Sequence, residues 1–123
     1  MINQIQNSNN KYDLEERTAK FGESIILFTK TIPINIYTES LIRQLIRSAT
    51  SIGANYMEAN GCDSKRDFRN KISLCKKEAK ETTHWIRMFS ITISNSKEEL
   101  KRLWKEAHEL ALIFSAITKR CIV

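Results

Sequence analysis

Apolar residues recur in alternating steps of four and three along nearly all of this chain, and its single proline falls outside every such run. In the first run Leu14, Thr18, Phe21, Ile25 and Phe28 keep this spacing. In the third Phe68, Ile72, Cys75, Ala79, Thr82, Ile86 and Phe89 do so, and in the fourth Leu100, Leu103, Trp104, Ala107, Leu110, Ala111, Phe114 and Ile117. At 3.6 residues per turn each set forms one stripe that must be covered, so each run reads as an amphipathic helix. With three glycines and one proline in 123 residues, turn-rich β structure is disfavoured. The connections are too short for anything but antiparallel neighbours, which predicts an all-α, up-down-up-down four-helix bundle over residues 12–123.

Start and stop signals mark the same four segments. Asp13 with Glu16, Ser64 with Asp67 and Ser96 with Glu99 each place an oxygen acceptor three residues before an acid. Only Ser96 with Glu99 is a strict capping box. Pro33, in Thr31-Ile-Pro-Ile-Asn35, is expected to stop the first helix and to lead into a connection that ends before Thr38 or Glu39. Gly61-Cys62-Asp63 makes a short turn between the second and third helices.

The second helix carries more apolar surface than one stripe. Leu41, Leu45, Ser48, Ile52 and Ala59 form one row, and Ile42, Ile46, Ala49, Gly53 and Tyr56 form another beside it. Two readings stand at this level: a helix sunk deeply in its own bundle, or one that also covers a second subunit. Ser48, Ala49, Ser51, Gly53 and Ala54 permit close helix approach in either case.

Charge concentrates on the third helix. Between Lys65 and Arg87 eight basic residues stand against three acids, a net of +5 in a chain of net charge +6. Lys65, Arg69, Lys76, Lys80 and Arg87 share one narrow stripe on one flank of the core face, while Asp67 and Glu78 lie on the other flank. Such a stripe can track phosphates, with Lys77, Arg43 and Arg47 in support. Opposed flanks also suit head-to-tail contact between copies. The plain alternative is a solvated face held by pairs such as Lys77 with Glu81. The aromatic residues do not interleave with the stripe, and no helix-turn-helix signature is found.

Catalytic signals are scarce. Glu81-Thr-Thr-His84 has the Glu-x-x-His spacing of di-iron bundles, but such a site needs a second copy and two further inward carboxylates. His108 has no acid three residues before it, and His84 falls away from the core stripe, so both read as structural. No phosphate loop or activated nucleophile is recognised. Neither metal nor cofactor is expected. Cys62, Cys75 and Cys121 are odd in number and widely spaced, which reads as reduced thiols in the cytoplasm. Trp85 and Trp104 read as core or interface aromatics. Residues 1–11, rich in Asn, Gln and Ser, read as a flexible tail without the pattern of a secretory signal, and no later run approaches membrane-spanning length.

The run Leu45-Ile-Arg47-Ser-Ala-Thr-Ser51-Ile-Gly-Ala-Asn55-Tyr-Met-Glu58-Ala-Asn60, then Ser64-Lys-Arg-Asp-Phe68, then Cys75-Lys-Lys-Glu78-Ala-Lys-Glu81-Thr, resembles the four helix bundle proteins, whose members include proteins encoded within intervening sequences of 23S ribosomal RNA genes. The opening Tyr12-Asp-Leu-Glu-Glu-Arg17-Thr and the position of Pro33 look the same, while Gly61-Cys62 departs from the usual residues. These proteins are similar to the accessory variability proteins of diversity-generating retroelements, which form pentameric barrels and bind nucleic acid and a reverse transcriptase. The resemblance therefore implies a homopentamer with RNA, such as ribosomal RNA, or a ribonucleoprotein as partner. It makes Asn55, Glu58 and the Lys76 to Glu81 block candidates for a shared polar surface. Joined to the residue reading, it gives a non-enzymatic, oligomeric bundle whose third helix binds RNA. The interface between copies is assigned to Ile42, Ile46, Asn55, Tyr56, Glu58, Glu78 and Glu81. The alternative is a protein-interaction or scaffold module with no nucleic-acid role.

Overall fold

A computed structural model describes residues 13–121, so the tail expected over residues 1–11 lies outside the described residues. Four helices follow in order: α1 (Leu14–Thr29), α2 (Ile36–Asn60), α3 (Lys65–Thr92) and α4 (Lys97–Arg120). Their side-chain contacts fix the direction of each neighbour. From α1 to α2, Gly22 faces Thr50 and Thr18 faces Gly53; from α2 to α3, Ser48 meets Thr82 and Glu58 meets Lys71. In both pairs residue numbers rise on one helix as they fall on the next, which is antiparallel packing. On α4, Glu106 and Glu109 return to Arg17 of α1 and close the up-down-up-down bundle.

The expected stripes form the core. Leu14, Phe21, Ile25, Ile52, Ile72, Phe89, Leu103 and Phe114 are among its buried side chains. Two aromatic pairs span the diagonals. Phe28 of α1 meets Phe89 of α3 edge-on at 5.9 Å, and Tyr56 of α2 tilts on Phe114 of α4 at the same separation. Such pairs add about 0.5–1.5 kcal/mol beyond area burial. Most of both rows of α2 enter this one core. Leu45, Ala49, Ile52, Tyr56 and Ala59 are buried, and Leu41, Ile42 and Ile46 pack half-buried against them. Gly53 eases this depth, because a Cβ there would lie 3.3 Å from Thr18 Oγ1, which would have to give by a few tenths of an ångström.

Buried polar atoms are satisfied locally. Thr82 Oγ1 lies within hydrogen-bond reach of Ser48 Oγ at 2.9 Å and of its own Glu78 carbonyl at 2.8 Å. Among the described residues no buried side-chain nitrogen or oxygen lacks a partner.

The caps differ from expectation in two places. Asp13 and Ser64 accept from the amides of Glu16 and Asp67 as their spacing predicts. Ser96, however, has φ 65°, and its side chain makes no capping hydrogen bond. The capping box lies instead at Asn35 and Thr38: Asn35 Oδ1 accepts from the Thr38 amide, and Thr38 Oγ1 accepts from the Asn35 amide. α2 therefore begins at Ile36, earlier than Pro33 alone suggests.

Candidate nucleic-acid interface

α3 lies between α2 and α4, and its two flanks face different neighbours. On the α2 side Glu78 and Glu81 both pair with Arg47, and Trp85 Nε1 donates to Glu81 at 2.9 Å. Lys71 donates to Glu58 at 2.5 Å, and this hydrogen bond raises the ammonium's affinity for its proton. The α2–α3 seam is thus a closed set of ion pairs above a buried row.

On the α4 side basic residues outnumber acids. Arg69, Lys76, Lys77 and Lys80 line a concavity with Ser73 and Thr118. Farther along, Arg87 shares a recess with Lys97, Lys101 and Trp104 of α4. At the other end Lys65 lines a recess with Arg120, Cys62, Cys121 and one acid, Asp63. Among the described residues none of the α3 cations on this side, nor Lys97 or Lys101, has a carboxylate within 4.0 Å. Cations from two helices therefore line three successive recesses on the α3–α4 side, which together make up the α3–α4 groove. Unpaired like charges at such proximity repel one another, so the row gains from any polyanion that neutralises it.

Of the residues assigned from sequence to nucleic-acid contact, Lys65, Arg69, Lys76, Lys77, Lys80 and Arg87 line this groove. Arg47 does not join them, because Glu78 and Glu81 hold it on the opposite flank. Nor does Arg43, an exposed residue of α2 paired with Glu39 at 2.8 Å. The expected pair of Lys77 with Glu81 is absent for the same reason: Arg47 takes Glu81, and Lys77 stays free.

Of the residues assigned to a subunit interface, Tyr56 is buried in the chain's own bundle, Glu58 is exposed, and Ile42, Ile46, Asn55, Glu78 and Glu81 are partly exposed. Tyr56 is 7% exposed against Phe114, and its burial pushes the phenol upward in pKa. Ile42 and Ile46 are half-buried against the core. Asn55 donates to the Ser51 carbonyl, and Glu58, Glu78 and Glu81 are the carboxylates of the seam.

Lys97, Lys101 and Arg120 lie outside the sequence expectation, whose cations come from α2 and α3 alone. Their helical register beside the α4 core stripe was the available signal for the first two. Trp104, read from sequence as a core or interface aromatic, is 39% exposed and stacks on His108 with centroids 4.8 Å apart. An aromatic group therefore does stand beside the basic row, supplied by the neighbouring helix. His84 is exposed and meets Trp85 edge-on, and among the described residues no group of three or more His, Cys, Asp or Glu could hold a metal ion.

A second cleft, of about 750 Å³, opens between α1 and α4. Arg17 spans it, bonding Glu106 at 2.7 Å and also Glu109, and the Glu106 bond foremost raises its proton affinity. Its charges are mixed, with Arg17, Lys20 and Arg102 paired to carboxylates and Lys105 unpaired among the described residues. No described helix is long and apolar enough to cross a membrane.

The model of the family described as 23S rRNA-intervening sequence protein matches residues 10–116. Among solved structures, the chain is similar to a protein of unknown function from the S23 ribosomal protein family of Bacteroides thetaiotaomicron VPI-5482. The two are 28% identical with a TM-score of 0.76, over 85% of this chain and 97% of the other. No curated protein matches the chain.

Proposed function

This chain belongs to the 23S rRNA-intervening sequence protein family, and from that premise we propose that it is a non-enzymatic RNA-binding protein whose ligand lies along the α3–α4 groove. One observation carries the reading: the cations of the α2–α3 seam are matched to carboxylates, whereas those of the groove are not. If charge served only solubility, the two flanks would have no reason to differ so sharply. A row of unpaired cations on two adjacent helices suits the phosphate backbone of RNA, free or within a ribonucleoprotein. The family's own description, with its link to 23S ribosomal RNA genes, supports RNA as the polyanion.

Replacing Lys76, Lys77 and Lys80 together by Gln tests the proposal. Affinity for a labelled structured RNA should fall, and the slope of log affinity against log salt should flatten by about 2 to 3, at 0.7–0.9 per lost phosphate contact. Helix content should stay unchanged. Unaltered affinity and slope would remove the groove as the binding surface.

The proposal includes assembly into a homo-oligomer. Support comes from Ile34, Ile36 and Tyr37 at the α1–α2 connection and Ile91 near the α3–α4 connection, all exposed at one end of the bundle. Apolar side chains gathered in this way commonly mark contact surfaces. Sedimentation would give the copy number, for which the resemblance implies five.

A further inference from the structure

We infer that the Trp104 end of the α3–α4 groove takes an unpaired nucleotide, stacking its base on the indole and holding its phosphate with Arg87, Lys97 and Lys101. The inference rests on the groove being an RNA-binding surface and adds which form of RNA it selects. The recess there measures about 310 Å³ and has two chemically distinct parts. Ile86, Leu100 and Trp104 supply an apolar floor, and Arg87, Lys97 and Lys101 stand around it. Flat apolar area next to several cations matches a base with its phosphate. A duplex offers only the phosphate to such a site, because its base faces are already stacked.

Trp104 is placed for this task. His108 stacks against it with an interplanar angle of 14° and does not itself line the recess, so the imidazole steadies the indole without being part of the recess wall. Trp85 shows the contrast: its indole N–H is consumed by Glu81. Among the described residues the Trp104 N–H has no protein partner, which leaves a donor for a base edge or ribose hydroxyl. Two acids of this part of α4 are engaged away from the recess, Glu99 with Arg102 and Glu106 with Arg17, and Glu98 does not line it. The middle of the groove, around Arg69, Lys76 and Lys80, has no aromatic lining. The groove thus combines a stretch that tracks backbone with one end that stacks a base, as single-strand binders do.

The test compares single-stranded oligouridylate with an RNA duplex of equal phosphate number, using fluorescence anisotropy at fixed salt. Trp104→Ala should weaken the single strand about tenfold, within the range of one lost base stack, and leave the duplex unchanged. Trp104→Phe should restore most of the single-strand affinity. Equal losses for both RNAs, or no loss for either, would overturn the stacking site while leaving the basic groove standing. Failure of the unaltered protein to bind either RNA would overturn both.

Discussion

Along α3, the flank turned to α2 and the flank turned to α4 differ in what their charges meet. Toward α2, Arg47 finds Glu78 and Glu81, Lys71 finds Glu58, and Ser48 and Thr82 close a hydrogen bond beneath them. Toward α4, Arg69, Lys76, Lys77 and Lys80 face Thr118, and Arg87 faces further cations. One seam is internally complete and serves the fold. The other leaves its cations without carboxylates within 4.0 Å, and the proposed polyanion rests on that difference. The same helix separates the two tasks by about 100° of rotation between its core face and its basic stripe.

The largest expected effect lies in the row beneath the complete seam. Ile52 is fully buried in α2. Ile52→Ala should lower stability by about 2–5 kcal/mol in denaturant unfolding, from lost transfer energy and the cavity left behind. RNA affinity should hold wherever the variant remains folded. An equal loss of affinity under fully folded conditions would mean that the seam and the groove are not separable.

Arg47→Gln probes the comparison at the charges themselves. Arg47 is about half exposed, so its pairs with Glu78 and Glu81 should contribute no more than about 1 kcal/mol, falling as salt is added. RNA affinity should not decline, because the residue lies on the paired flank. A loss as large as that from a single groove lysine would break the distinction between the flanks.

Periodicity made the fold legible because each helix buries a single stripe, and Phe21, Ile72 and Phe114 lie where their spacing puts them. Helical register likewise separated Lys65, Arg69, Lys76, Lys80 and Arg87 from Glu78 on α3. It could not tell which neighbour each flank would meet, since that depends on the cyclic order of the helices. Arg47 was therefore drawn toward the basic row, although its partners lie on the other side. The same gap hid Lys97, Lys101 and Trp104, whose relation to α3 exists only after α4 has packed. Ser96 failed for a different reason. A capping motif states what a side chain can do, but the backbone at Ser96 is left-handed and Asn35 takes that role at another helix.

The effect that is smallest at neutral pH uses the thiols, which fall on both sides of the comparison. Cys75 is buried at the α2–α3 seam with its sulfur 3.5 Å from the Ile52 carbonyl, and burial pushes the thiol up to about 12. Cys62 and Cys121 are half-exposed in the recess beside Lys65. A thiol reagent at neutral pH should therefore modify two cysteines quickly and Cys75 only on opening of the bundle. The sign of the pH effect follows from the same burial. Below the ordinary thiol value of 9.0 Cys75 is protonated in both states, and it has no influence on the pH dependence. Between 9.0 and about 12 only the unfolded chain releases the proton, so stability falls as pH rises. Cys75→Ala should flatten that alkaline decline relative to the unaltered protein, measured by denaturant midpoints, whereas Cys62→Ala should leave it in place. An alkaline decline that Cys75→Ala does not alter, together with fast modification of all three thiols, would show that the seam opens as readily as the groove.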